Sequence, residues 1–102
     1  MKTKIEIKSI FGSILFEFEK ENNSIKDTLV EAVKRGANIR GANIRGADIR
    51  CADLRYADLR GACIRGANIR GAYISGADLR CADIRYADLR GAYISGADLS
   101  IS

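Results

Sequence analysis

The 102-residue sequence predicts an all-β solenoid whose N-terminal end is covered by a β-hairpin and one short helix. Three observations carry this. From Gly36 to Ser100 the chain is thirteen consecutive pentads, with Ala second and Ile or Leu fourth in every one. Before Gly36 the pattern is instead a period of two followed by a helical stripe. The word GAYIS at 71–75 returns at 91–95, twenty residues later, inside a repeat of five. The chain thus divides into residues 1–35 and 36–102, at a length that suits one small folding unit.

KIEIKS alternates Ile5 and Ile7 with charged residues, and ILFEFE alternates Ile14, Phe16 and Phe18 with Glu17 and Glu19. Period-two alternation is the mark of half-buried strands, and IFGS between them reads as a tight turn. A β-hairpin is expected over 3–19. A helix follows over 24–35, because Ile25, Leu29, Ala32 and Val33 form one stripe at i, i+4, i+7 and i+8. Ser24 suits its N-cap, Asp27 the positive end of the dipole, Lys34 and Arg35 the last turn, and Gly36 the C-terminal cap position. So short a helix needs a partner for its apolar stripe.

The pentads exclude the ordinary elements. A period of five drifts around a 3.6-residue helix, and an odd period puts successive Ile or Leu on opposite faces of a flat strand. The chain must turn a corner once per pentad. Ala and the Ile or Leu two places later then point inwards, and the third and fifth residues point out. The result is a coil with a dry aliphatic interior.

GANIRGANIRGADIRCADLRYADLR resembles the pentapeptide-repeat family, whose unit is commonly written A-(D/N)-L-x-x. The resemblance covers residues 36–100 and implies a right-handed quadrilateral parallel β-helix with four pentads to a coil. Thirteen pentads would then make about three coils, a rod of repeats roughly 15 Å tall at the strand spacing of about 4.8 Å. The hairpin and helix resemble the N-terminal caps of some members.

A register of twenty sorts the outward residues into columns. The first face carries Asn38, Asp58, Asp78 and Asp98 beside Arg40, Arg60, Arg80 and Ser100; the second, Asn43, Cys63 and Asp83 beside Arg45, Arg65 and Arg85. The third carries Asp48, Asn68 and Asp88 beside Arg50, Arg70 and Arg90. The fourth breaks the rule, with Asp53, Tyr73 and Tyr93 beside Arg55, Ser75 and Ser95. Three faces are therefore coated with acid or amide beside guanidinium, and one holds a tyrosine ladder flanked by serines. Tyr73, Tyr93, Ser75 and Ser95 are the candidate contact surface, with the Arg40, Arg60 and Arg80 column as a candidate site for an acidic partner. Tyr56, Tyr86, Cys51 and Cys81 stand at corners otherwise held by Gly. At the other end, Leu99 and Ile101 lie on an edge with no cap, and uncapped parallel edges invite pairing, so a homodimer through the C-terminal coil is expected.

Composition argues against chemistry. There is no His, no paired nucleophile and base, and no ligand cluster, so neither an enzyme, a cofactor nor a metal site is expected. Three cysteines without C-x-x-C spacing suggest reduced thiols in the cytoplasm, and neither an export signal nor a membrane span is evident. The partner expected is another protein. Some family members resemble DNA in shape and negative charge and bind DNA gyrase; ten Arg against seven Asp in these repeats argue against that mimicry, which stands as the alternative. Net charge is only +4, with Asp interleaved among the Arg, so nucleic acid is not the expected ligand.

Overall fold

The computed structural model describes residues 1–100. Two antiparallel strands, β1 (Lys2–Lys8) and β2 (Ile14–Glu21), form a hairpin that runs one or more residues beyond the expected bounds at each end. Helix α1 (Ile25–Lys34) follows. The Ser24 hydroxyl accepts from the Asp27 amide at 3.0 Å and caps it. Its C-cap is Arg35, and Gly36 takes the left-handed position just beyond, at φ +69°.

The hairpin register runs from Lys2 opposite Glu21 to Ile7 opposite Phe16, with an irregularity between Ile7 and Lys8 that leaves Ile14 opposite Lys8. This alters the expected strand face. Ile7 is fully buried and Phe16 is packed on the core, but Ile14 is 53% exposed, and Leu15 packs inward instead. Ile10 and Phe11 at the tip are also exposed. Asn23 ties hairpin to helix: its amide donates to the carbonyl oxygens of Thr3 and Phe18, at 3.2 and 2.8 Å, while its Oδ1 accepts from the Ser24 amide and the Thr28 hydroxyl. Buried Thr28 is thereby satisfied, and Leu29 and Ala32 beside it are wholly buried.

From residue 43 the backbone pairs with itself in parallel, one coil on. Asn43 bridges Cys63, Asp48 bridges Asn68, Asp53 bridges Tyr73 and Asp58 bridges Asp78, and the series continues to Asp78 with Asp98. Each partner lies twenty residues away, so four pentads make one turn. The bonds repeat with the pentad: Ile64 donates to the Asp83 carbonyl at 2.8 Å and Cys63 donates to the Ala42 carbonyl at 2.8 Å. A short bond closes each corner, as from Ala57 to the Leu54 carbonyl at 3.1 Å. The corner residue is left-handed even where it is not Gly, with φ of 62°, 64°, 61° and 65° at Cys51, Tyr56, Cys81 and Tyr86. An L-residue there costs on the order of 1 kcal/mol, which explains why Gly fills most corners.

The core is one column. Ala42, the alanines from 52 to 77 and the Ile or Leu residues from 39 to 79 are buried, while Ala47, Ile84 and Leu89 are half-buried and Ile94 and Leu99 are exposed. The axial space they line is about 10 Å³ and is walled by Ile and Leu alone, with no polar partner for a water. Ile7, Leu29 and Ala32 belong to the same cluster, so the hairpin and helix extend the solenoid core. The junction is also hydrogen-bonded: Ser9 pairs antiparallel with Ala42, Ile10 donates to the Gly41 carbonyl, and Asn43 donates to the Lys8 carbonyl.

Candidate functional site

The outer surface is set by what the third residue of each pentad can reach. An Asn or Asp there turns its Oδ1 back onto the amide of the fifth residue, as in Asn43 to Arg45 at 3.2 Å and Asp48 to Arg50 at 3.3 Å. This short Asx bond satisfies an outward amide that the parallel ladder leaves over. With Asp, a second interaction follows. The Arg two residues on folds over, so that Arg50 Nε and Nη2 donate to Asp48 Oδ1 and Oδ2 at 2.8 and 2.8 Å.

The same fork holds Asp53 with Arg55, Asp58 with Arg60, Asp78 with Arg80, Asp83 with Arg85 and Asp88 with Arg90. Bidentate guanidinium binding holds these carboxyls below the usual range, to about 2 for Asp78 and Asp88. On the first face the pairs also link coils: Arg40 reaches Asp58 at 3.8 Å, Arg60 reaches Asp78 at 3.5 Å and Arg80 reaches Asp98 at 3.9 Å. Arg40, Arg60 and Arg80 thus sit in a zipper of opposite charges. Their column presents little net field.

Where the third residue is not Asp, the guanidinium has no fork within its own pentad. Among the described residues no carboxylate lies within 4 Å of Arg45, behind Asn43, or Arg65, behind Cys63. Arg65 instead lies over the Tyr86 ring, 5.4 Å from its centroid. The signal was present in the sequence as the residue two places before each Arg, which reading by whole columns passes over.

On the fourth face the structure stacks Tyr73 on Tyr93, with centroids 4.7 Å apart and planes 2° from parallel. Tyr73 is 42% and Tyr93 55% exposed. The Ser75 hydroxyl faces the Tyr93 carbonyl at 3.5 Å, and neither Ser75 nor Ser95 brings a charge. Tyr73, Tyr93, Ser75 and Ser95 therefore share one face, joined at the corner of Tyr56 and Gly76 to the face of Arg60 and Arg80. The Tyr56 ring reaches over Gly76 at this corner.

Cys51 and Cys81 are exposed at different corners and Cys63 is half-buried on the second face, so the three do not meet. Leu99 lies at the exposed end of the apolar column; Ile101 lies outside the described residues. Open grooves of about 560 and 580 Å³ flank α1, the first lined by Lys26, Asp48, Arg50 and Cys51, the second by Val33, Asp53, Arg55 and Tyr56. Among the described residues no three His, Cys, Asp or Glu side chains are grouped to hold a metal, and no helix is long and apolar enough to cross a membrane.

A family model of pentapeptide repeats matches residues 29–66 and 62–100. The chain belongs to the pentapeptide-repeat family. Membership implies a right-handed quadrilateral β-helix, with which the twenty-residue parallel pairing agrees. Among solved structures, the pentapeptide-repeat protein Rfr23 from the cyanobacterium Cyanothece 51142 is 32% identical, with a TM-score of 0.54 over 55% of this chain and 38% of that one. This pentapeptide-repeat chain thus spans well under half the length of Rfr23. The protein alr5209 from Nostoc PCC 7120, also a pentapeptide-repeat protein, is 32% identical over 74% of this chain and 79% of its own, with a TM-score of 0.31. No curated protein matches the chain in sequence.

Proposed function

We propose that this pentapeptide-repeat chain is a non-enzymatic protein-interaction module. Residues 1–35 serve as its cap, residues 36–102 as its right-handed quadrilateral rod, and the Tyr73–Tyr93 face as its contact surface. The observation that supports this reading most is the stacked tyrosine pair, half exposed on the one face where two successive coils replace Asp and Arg by Tyr and Ser. Over the Asp–Arg forks a partner must strip water from both ions, a desolvation cost that their mutual attraction need not repay. On this face it meets rigid aromatic surface with hydroxyls at its margin, the composition favoured at the centre of interfaces. Arg40, Arg60 and Arg80 on the adjoining face would form a hydrogen-bonding rim of low net charge. The exposed ends of Ile94 and Leu99 suit a contact between two copies. Cytoplasmic residence belongs to the same reading, since it keeps the cysteines reduced.

Photo-crosslinking from Ser75 in cell extract, followed by purified reconstitution with the captured protein, tests the tyrosine face. Tyr73→Ser with Tyr93→Ser should weaken that complex at least tenfold, and Arg60→Gln with Arg80→Gln should weaken it much less. Equal losses from the two pairs, with both variants folded, would refute the assignment. The alternative of a DNA-like surface for gyrase draws no support from these faces, because six of the seven repeat Asp residues are chelated by an Arg of the same pentad.

A further inference from the structure

The excess positive charge of the repeats is concentrated in one place. The first face balances three Arg with three Asp, and the fourth balances one Arg with one Asp. The third has three Arg for two Asp, and its Arg70 reaches Asp88 at 4.0 Å. The second has three Arg and a single Asp. That Asp, Asp83, gives both oxygens to Arg85, at 2.9 and 2.8 Å. Arg45 and Arg65 are left one coil apart, about 4.8 Å at the backbone, on the face where Asn43 bridges Cys63.

We propose that Arg45 and Arg65 form a binding site for a single phosphate monoester group. Charge and shape both favour this ligand. Two uncompensated guanidiniums match the charge of about −2 that a phosphate monoester carries near neutral pH. A carboxylate brings only one negative charge, which a single fork already balances, as Arg50 balances Asp48. A tetrahedral group has oxygens left over for a second fork from the next coil.

The site is also bounded. On the N-terminal side, Lys8, Ser9 and Ile10 pair with residues 41–43 and end the column; on the C-terminal side, Asp83 neutralises Arg85. A longer polyanion finds no continuing track, so the footprint is one group. Tyr86 supplies a support from beneath. Its ring faces the Arg65 guanidinium at 5.4 Å, a contact that occupies the flat face of the cation and leaves its in-plane N–H donors for a ligand. Tyr86 holds this place from a corner at φ 65°, a conformation costly for any residue but Gly.

The test follows the arginine Nε–Hε resonances of the whole chain by NMR while inorganic phosphate is added at low ionic strength. Saturable shifts are expected at Arg45 and Arg65, with little change at Arg60 and Arg80. Arg45→Gln with Arg65→Gln should abolish saturation with the thermal midpoint preserved, and Tyr86→Gly should weaken binding about fivefold, the upper range for an exposed contact. A phosphoserine peptide in place of free phosphate tells a protein-borne ester from the free ion; binding of either supports the site. Linear shifts without saturation, or equal shifts at Arg60 and Arg80, would overturn it. So would a duplex oligonucleotide that binds far more tightly than phosphate with a steep salt dependence, since that requires a track of several contacts.

Discussion

Substituting Ala at two corners, Gly66 and Gly76, separates backbone strain from packing in this coil. Both glycines are left-handed, at φ +70° and +69°. A Cβ at Gly66 would meet nothing within 4 Å, so Gly66→Ala reports strain alone. That strain is about 1–2 kcal/mol for an L-residue, offset by about 0.4–1 kcal/mol as Ala narrows the unfolded ensemble. A net loss of about 1 kcal/mol is expected. At Gly76 the same Cβ would fall 2.5 and 2.6 Å from Cε1 and Cδ1 of Tyr56, so the ring must leave. Because Tyr56 is 81% exposed, it can swing into water and forfeits only its contact with the corner. Gly76→Ala should therefore cost about 0.5–1 kcal/mol more than Gly66→Ala, within the range of one exposed aromatic contact. Urea unfolding measures both, and in a Tyr56→Gly background the two substitutions should become equal. A persistent gap in that background would refute the argument, as would a Gly66→Ala variant as stable as the parent.

Leu29→Ala should destabilise the fold by about 2–5 kcal/mol in the same urea assay, since Leu29 is wholly buried where α1 meets the repeat core; a loss below 1 kcal/mol would mean that the helix is not integral to it. Acid should weaken the fold through the Asp–Arg forks. Their carboxyls titrate at about 2 when folded, for Asp78 and Asp88, against about 3.8 when unfolded, so the unfolded chain binds more protons in between. Their contribution is complete above about pH 5 and is lost as the pH falls through 4 towards 2. Asp78→Asn with Asp88→Asn should flatten the stability profile across that interval. Gyrase supercoiling should be unchanged by equimolar protein; inhibition or protection at that ratio would restore the DNA-mimic alternative.

The repeat was legible because each constraint falls on a separate place in the pentad. Ala and Ile or Leu are fixed by the interior, Gly by the left-handed corner, and Asn or Asp by the Asx bond to the fifth amide. Four pentads per coil was not forced by that grammar, since CADLRYADLR at 51 and CADIRYADLR at 81 lie thirty apart and fall on opposite faces. The parallel bridges twenty residues apart supply it. In the N-terminal part the alternation located both strands but misjudged Ile14, because the irregularity after Ile7 turns the strand end away from the core. No periodic signal marks such a slip.

Charge was legible by column and misleading by count. A stripe of Arg40, Arg60 and Arg80 reads as a cationic face, yet each guanidinium is engaged by a carboxylate of its own or the next coil. An Arg is engaged by an Asp two places before it or, on the first and third faces, by one eighteen places after it. Arg65 has Asp83 at the latter place but lies over the Tyr86 ring instead. Arg60 has Asp58 and Asp78 at those places, whereas Arg45 has Asn43 and Cys63. Two changes at the third pentad place are therefore enough to convert a neutral ladder into a local cationic site without altering the coil. The same place, filled by Tyr73 and Tyr93, converts another face into an aromatic one. In this chain the third and fifth residues carry most of the surface identity, while the Ala and the Ile or Leu keep the fold that displays it.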